Sequence, residues 1–263
     1  MEEFRLHGSP PYSIVMVHGG PGAAGEMYSV ADHLSGLCGV LEPFQTGMSI
    51  EEQVSELGNM IMENCRLPVI LVGFSWGAWL VILTAVKYPD LISKLILIGC
   101  GPLEQKYAAN VFETRLNRLD QKYRTEFIHL LEGIEQGSIK DTADAYGRLG
   151  ILISKADTYK PLSMEEPAVL INPEVFRRVW AEASQLRKSG SLIKLTKRVR
   201  CPVVAIHGDY DPHPAEGVQI PLNNVLQDFR FHLLKGCGHK PWIEETASKE
   251  FFRILQGELI SFK

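Results

Sequence analysis

Short apolar runs that are rich in Val and Ile and end in Gly or Pro clusters recur along the chain, and they predict buried strands. The runs are nearly continuous rather than alternating, which is typical of parallel strands covered on both faces. The clearest are SIVMVHGGPG, LPVILVGFSWG, SKLILIGCGP and CPVVAIHGDYDP, followed by a strand from Phe229 to Leu234. We therefore expect a mostly parallel sheet with helices packed on both sides.

Helical patterns fill the intervals between these strands. Ser49 to Cys65 opens with a capping pattern, and Trp76 to Tyr88 is apolar nearly all round until Pro89 ends it. Glu244 to Ile260 is expected to form the closing helix. This alternation of strand and helix predicts an α/β fold.

Residues 103–198 have a different character, with charged residues at helical spacing, few β-branched runs and several proline breaks. The stretch follows the predicted strand that ends at Ile98 and precedes the one that begins at Val203. Because it leaves and re-enters the sheet at one edge, we predict an all-helical lid. The core would then comprise residues 1–102 and 199–263.

Composition narrows the class of function. A chain of 263 residues with 45% hydrophobic residues can form one main domain with an inserted subdomain. Its net charge of -4 gives no overall attraction for nucleic acid or anionic membranes, and no apolar run reaches the ~18 residues of a membrane span. We expect a cytoplasmic protein that acts on a small-molecule substrate, with no nucleic-acid or membrane partner; the sequence does not indicate the oligomeric state.

The segment Gly73-Phe74-Ser75-Trp76-Gly77 matches GxSxG and lies between a predicted strand and a predicted helix. In such a turn the glycines remove Cβ atoms where strand and helix nearly touch. The serine hydroxyl would then project above the sheet at a helix N-terminus. There the Trp76 amide could stabilise negative charge on a substrate oxygen.

The glycine-rich loop His18-Gly19-Gly20-Pro21-Gly22 follows the first strong strand and can supply a second amide donor. We assign this oxyanion role to Gly20, with Gly19 as an alternative. His18 is interpreted as a structural residue of this loop. Three further residues are candidates for substrate contact: Gly19, Phe74 and Trp180.

A serine nucleophile needs an imidazole base, and the base needs a carboxylate to orient it. Of the eight histidines, His213 and His239 lie in predicted loops after the acidic segment. Asp211, Asp209 and Glu104 are the candidate acids.

HGGPG, GFSWG, GDYD and GCGH occur in that order, each just after a predicted strand. The chain resembles the α/β-hydrolase superfamily, and HGGPG with GFSWG resembles its proline-iminopeptidase-like branch. The resemblance implies the chain order serine, acid, histidine, with the acid last in GxxD and the base last in GxGH. It therefore implies Ser75, Asp211 and His239. Since HGGPG begins at residue 18, the usual pair of leading antiparallel strands is reduced to one short strand around Phe4 to His7.

These residues predict a serine hydrolase that cleaves an ester, thioester or amide of a small apolar acyl substrate through an acyl-enzyme, without cofactor or metal. A proline-iminopeptidase-type aminopeptidase is an alternative, for which Trp180 and Glu182 are the candidate amine-site residues. A ligand-binding protein that keeps the fold without catalysis is another.

Two further hypotheses are less favoured. The alternating residues His207, Asp209, Asp211 and His213 could ligate a metal, but Pro212 and Pro214 disfavour the regular strand that this requires. The basic run from residue 187 to 200 is interpreted as a solvated connector rather than a nucleic-acid site, because it lacks interleaved aromatic residues.

Overall fold

The computed structural model describes residues 3–139, 142–163 and 169–260. The strands are β1 (Phe4–His7), β2 (Tyr12–Val17), β3 (Ala23–Ala24), β4 (Gly39–Pro43), β5 (Val69–Phe74), β6 (Ile92–Ile98), β7 (Leu170–Ile171), β8 (Val203–Gly208) and β9 (Phe229–Leu234). The helices are α1 (Tyr28–Leu34), α2 (Ile50–Asn64), α3 (Trp76–Lys87), α4 (Gln105–Ala108), α5 (Val111–Arg118), α6 (Gln121–Glu135), α7 (Thr142–Asp157), α8 (Pro173–Lys188), α9 (Ser191–Thr196), α10 (Glu216–Val225) and α11 (Ser248–Ile260).

Seven strands form one sheet in the order β1-β4-β2-β5-β6-β8-β9. Only β1 runs antiparallel to its neighbour, and every other adjacent pair in this sheet is parallel. The mostly parallel sheet that the sequence predicts is therefore confirmed. The strand predicted from Phe229 to Leu234 has these bounds in the structure. In α2, the Ser49 hydroxyl accepts a hydrogen bond from the Glu52 amide at 3.2 Å, as the capping pattern predicted.

The strand β4 was not among the apolar runs singled out in the sequence, because a buried carboxylate interrupts its pattern. Glu42 is fully buried, and it accepts hydrogen bonds from His7 at 3.0 Å and Arg5 at 3.3 Å on the neighbouring strand β1. A buried charge of this kind is tolerated when it is paired. The pairing joins the single leading strand, which was predicted, to the edge of the sheet.

Alternate residues of the central strands face two separate apolar cores, one on each side of the sheet. On one side Val15 and Leu71 pack with the inner faces of α2 and α3. On the other side Met16 and Val72 pack with α1 and α11. None of the helices in the described ranges is both long and apolar enough to cross a membrane.

The segment between β6 and β8 contains α4 to α9 and a small apolar cluster of its own, built from Leu116, Phe127, Leu152 and neighbours. It differs from the all-helical expectation in one respect. The two-residue strand β7 pairs antiparallel with β3, which lies directly after the HGGPG loop. A strand of two residues is too short to produce a periodic pattern in the sequence.

Candidate active site

Three loops that leave the carboxyl ends of β5, β8 and β9 bring Ser75, Asp211 and His239 together. The Ser75 hydroxyl lies 3.0 Å from Nε2 of His239, and Nδ1 of the same ring lies 2.7 Å from Oδ2 of Asp211. A carboxylate only accepts hydrogen bonds, so Nδ1 carries the proton and Nε2 offers a lone pair to the serine hydroxyl. The three side chains thus form a continuous hydrogen-bonded row.

The turn that carries Ser75 is strained in the way the sequence motif predicts. Ser75 has φ 52° and ψ -113°, the only positive φ at a non-glycine position among the described residues. Its amide is held by the carbonyl of Ile98 at 2.9 Å. A Cβ on Gly77 would lie 2.5 Å from the carbonyl oxygen of His18, and one on Gly73 would meet the carbonyl oxygen of Gly77. Both positions therefore require glycine.

The amides of Gly20 and Trp76 are the two that the sequence suggests as oxyanion donors. Neither the Trp76 amide, at the start of α3, nor the Gly20 amide has a backbone or side-chain acceptor within the part of the chain that the structure describes. The Gly19 amide, in contrast, donates to Oε2 of Glu26 at 3.1 Å. That bond leaves the Gly20 amide, rather than the Gly19 amide, free to donate.

Glu26 holds the glycine loop in place, and sequence analysis did not identify it. Its other carboxylate oxygen lies 2.8 Å from Nζ of Lys240, the residue next to His239. Burial would raise the pKa of Glu26, but Lys240, together with His18 and His239, outweighs burial and lowers it, so the carboxylate stays charged. No motif marks a single glutamate in a turn before a short helix.

The carboxylate of Asp211 is shared between two imidazoles. Its Oδ1 accepts from Nδ1 and from the backbone amide of His213, both at 2.9 Å, while Oδ2 accepts from His239. A third ring, His207, lies 3.6 Å from Oδ2. Burial would raise the pKa of Asp211, but the facing imidazoles hold it well below its ordinary value. Asp211 is therefore an anion at neutral pH.

The two imidazoles differ in the direction of their pKa shifts. Burial would lower the pKa of His239, but the charge and hydrogen bond of Asp211 outweigh it and raise the pKa. Burial lowers the pKa of His213 to about 4 in spite of the same carboxylate. His213 is therefore neutral at pH 7, and His239 is the ring that gains a proton most easily.

The other candidate acids lie elsewhere. Asp209 accepts from the amide of Cys237 at 3.3 Å, and Glu104 pairs with Lys106 at 3.2 Å. The four alternating residues of the metal hypothesis are not all brought together. Among the described residues only Asp211, His213 and His239 present potential ligand atoms within 4.8 Å of one another. Hydrogen bonds account for the shortest of these contacts.

A cavity of about 200 Å³ opens in front of the serine. Ser75, His213 and two arginines, Arg115 and Arg187, contribute to its wall, and no carboxylate within the described ranges lines it. Most of the remaining wall is aromatic, contributed by Trp76, Trp79, Phe112, Phe127 and Trp180. The arrangement suits a small, largely apolar ligand next to a nucleophile and a base.

The alpha/beta hydrolase family model matches residues 14–254. The chain belongs to the alpha/beta hydrolase family. This family member is 24% identical to a proline iminopeptidase of Lactobacillus delbrueckii subsp. bulgaricus over 94% of this chain and 90% of that protein. It is 29% identical to a 2-(acetamidomethylene)succinate hydrolase of Mesorhizobium japonicum over 76% of this chain and 68% of that protein. The crystal structure of VinJ superposes with a TM-score of 0.72 at 16% identity, over 99% of this chain and 95% of that one.

Of the three residues that the sequence of this alpha/beta hydrolase suggests for substrate contact, one lines the cavity and two do not. Trp180 lines it, whereas Gly19 and Phe74 are not among its lining residues. Phe74 packs behind the base, with its ring centroid 4.8 Å from that of His239. Glu182 accepts from the amide of Ile50 at 2.9 Å and so caps α2.

A larger groove, of about 690 Å³, lies at the amino ends of the strands. Residues before β8 and after α10 line it. Its only thiol is Cys201, and burial raises the pKa of that thiol to about 11, so it is not a nucleophile at neutral pH. Of these two cavities, the smaller one is therefore the one with a side chain, Ser75, that can act as a nucleophile.

Proposed function

We propose that this alpha/beta hydrolase is a serine hydrolase that cleaves an ester, thioester or amide of a small acyl substrate. The observation that carries the proposal is the hydrogen-bonded row from Ser75 through His239 to Asp211. The row supplies a nucleophile, a base and a carboxylate that orients the base. We assign the oxyanion donors to the amides of Gly20 and Trp76, neither of which has an acceptor in the described part of the chain.

The mechanism follows from these contacts. Nε2 of His239 takes the proton of the Ser75 hydroxyl while Oγ bonds to the substrate carbonyl carbon. The carbonyl oxygen becomes an anion and receives hydrogen bonds from Gly20 and Trp76. When the tetrahedral intermediate collapses, the protonated ring gives its proton to the leaving group. Water, activated by the same ring, then releases the acid from Ser75.

The segment of residues 103–198 acts in this proposal as a lid over the serine. Trp180 and Phe127 come from that segment and close the cavity above Ser75. Aromatic walls exclude water and favour an apolar acyl group. A cavity of about 200 Å³ limits this group to a small one.

The lining of the cavity favours an acyl substrate over the amine-bearing substrate of an aminopeptidase. An ammonium group would need a carboxylate at the wall, and in the described ranges the charged residues of the wall are arginines. Glu182, the candidate for that role, instead accepts a hydrogen bond from the Ile50 amide at the amino end of α2. The two relatives bear the names of a peptidase and of a hydrolase of an acidic compound, so family membership alone does not select between them.

Replacing Ser75 by Ala tests the proposal directly. The S75A protein is expected to lose hydrolysis of short p-nitrophenyl esters by at least about 10³-fold, and to lose labelling by a fluorophosphonate probe, with its melting temperature retained. Ser55→Ala, on the surface of α2, is the matched control and retains both. Absence of labelling in the unaltered protein would instead support a ligand-binding protein without catalysis.

A further inference from the structure

The two arginines in the wall of the cavity have different partners. Arg115 donates through Nε and Nη2 to the carboxylate of Asp157, at 2.8 and 2.6 Å. Arg187 has only a neutral acceptor, Oε1 of Gln105, which lies 3.1 Å from its Nε. No carboxylate in residues 3–139, 142–163 or 169–260 forms an ion pair with Arg187. One positive charge at the cavity is therefore not neutralised.

The surroundings of Arg187 make this charge available to a ligand. Its guanidinium lies over the ring of Trp79, 5.4 Å from the centroid, and both residues line the cavity with Ser75. The Nη groups have no side-chain or backbone acceptor in the described part of the chain. A guanidinium with free N–H groups presents a planar fork that matches a carboxylate.

The pKa directions of the two arginines agree with this contrast. Burial would lower the pKa of Arg115, but Asp157 outweighs it and raises the pKa. Burial lowers the pKa of Arg187, and no anion offsets it. A half-buried cation without a counter-ion carries a desolvation cost that an anionic ligand would offset.

We propose that Arg187 binds a carboxylate of the substrate, so that the hydrolysed molecule carries an acidic group on the part that fills the cavity. The inference rests on the proposed hydrolase function, and it specifies the substrate class. The apolar segment between the carboxylate and the scissile carbonyl would pack on Trp79 and Trp180, whose rings are stacked 6.0 Å apart. The neutral pair of Arg115 and Asp157 shapes the wall without competing for the anion.

Paired substrates test the proposal. One pair compares p-nitrophenyl hydrogen glutarate with p-nitrophenyl butyrate and places the carboxylate on the acyl part. The other compares 4-acetoxybenzoate with phenyl acetate and places it on the leaving group. We expect a preference for the acidic member of one pair, and that pair identifies the side of the scissile bond that faces Arg187.

Arg187→Gln is expected to lower kcat/KM for the preferred acidic ester by at least about ten-fold, mainly through KM, and to change kcat/KM for its neutral counterpart less than about three-fold. Arg187→Lys should recover part of the loss. Arg177→Gln is the matched control, because it removes one exposed positive charge from the same helix, α8. Equal losses on acidic and neutral esters, or no preference in the unaltered protein, would overturn the proposal.

Failure of the hydrolase function can be recognised separately. If the fluorophosphonate probe labels the protein but Arg187→Gln affects both esters equally, the hydrolase proposal stands and the carboxylate site does not. If nothing is labelled or hydrolysed, calorimetric titration of the Ser75→Ala protein with glutarate monomethyl ester still tests the site. The affinity of the Ser75→Ala protein for this ester should fall at least about ten-fold when Arg187→Gln is added, and an unchanged affinity counts against the site.

Discussion

The rings of His213 and His239 lie 4.8 Å apart, centroid to centroid, and both donate from Nδ1 to the carboxylate of Asp211. The His213 bond draws part of the carboxylate charge away from the base. In His213→Ala this side-chain donor is lost while the backbone amide of residue 213 and the His207 ring remain, so more of the carboxylate charge acts on His239 and raises its pKa further. We expect the low-pH limb of kcat/KM to move to higher pH by a few tenths of a unit.

His213→Asn is the matched control for this prediction, because its side-chain N–H₂ can donate to Oδ1 in place of Nδ1. It should return the limb to its position in the unaltered protein. A limb at the same pH in the alanine and asparagine variants contradicts the role given to His213. The measurement is kcat/KM for one ester across pH 5 to 9.

The carboxylate of Asp211 should also set the pH range of the proposed reaction in the unaltered protein. The base must be neutral, and Asp211 raises the pKa of His239, so kcat/KM should rise with pH around a midpoint above the ordinary imidazole value of about 6.5. Asp211→Asn removes the charge, which should lower the midpoint and reduce kcat by about 10⁴-fold. Asp209→Asn removes a carboxylate two positions away and should preserve both. A midpoint that does not move in Asp211→Asn would disagree with this assignment.

Glu26 is expected to act on catalysis through the glycine loop. In Glu26→Ala the Gly19 amide loses its acceptor, and the Gly20 amide is less firmly oriented toward the oxyanion. We expect kcat to fall about ten-fold with KM little changed, since the contact matters when the oxyanion forms. Glu26→Gln keeps an oxygen that can accept from the Gly19 amide but loses the charge pair with Lys240. Its kcat should therefore lie between that of Glu26→Ala and that of the unaltered protein. Equal kcat values in the alanine variant and the unaltered protein would remove Glu26 from this role.

Gly77→Ala tests the packing at the turn of the nucleophile. The new Cβ would lie 2.5 Å from the His18 carbonyl oxygen and 2.6 Å from that of Val17. We expect a loss of about 1–3 kcal/mol in the free energy of unfolding and a melting temperature lower by roughly 2–4 °C per kcal/mol. Gly150→Ala, in the interior of α7, has nothing within 4 Å of its new Cβ and should be neutral or stabilising by up to about 1 kcal/mol. Thermal unfolding of both variants, followed by circular dichroism, decides the matter.

The sequence predicted the sheet and the turn at Ser75 because both depend on local patterns, whereas Asp211 and His239 were implied by the family resemblance. Apolar runs such as the one ending at Val72 specify buried strands, and GFSWG specifies its own turn. Strand β4 lacked such a pattern because Glu42 interrupts it. The residues of β1 that pair with Glu42 are distant from it in the sequence and come close to it only in the folded chain.

The residues that distinguish this site could not be predicted in the same way. Arg187 lies in a basic stretch that indicates a solvated connector, and only the packing of α8 brings it to the cavity. The bonds from His213 to Asp211 and from Gly19 to Glu26 depend on loop geometry that no periodicity encodes. The carboxylate site that we propose thus depends on the segment with the weakest sequence signals.

The short ribbon of β3 and β7 links two parts of the site mechanically. Gly22 lies at the end of the glycine loop, and its carbonyl accepts the amide of Asn172, directly before α8, at 2.8 Å. Any displacement of α8 would therefore be transmitted to the loop that carries Gly20. The position of the helix that carries Arg187 and the orientation of the Gly20 amide are therefore coupled through one backbone hydrogen bond.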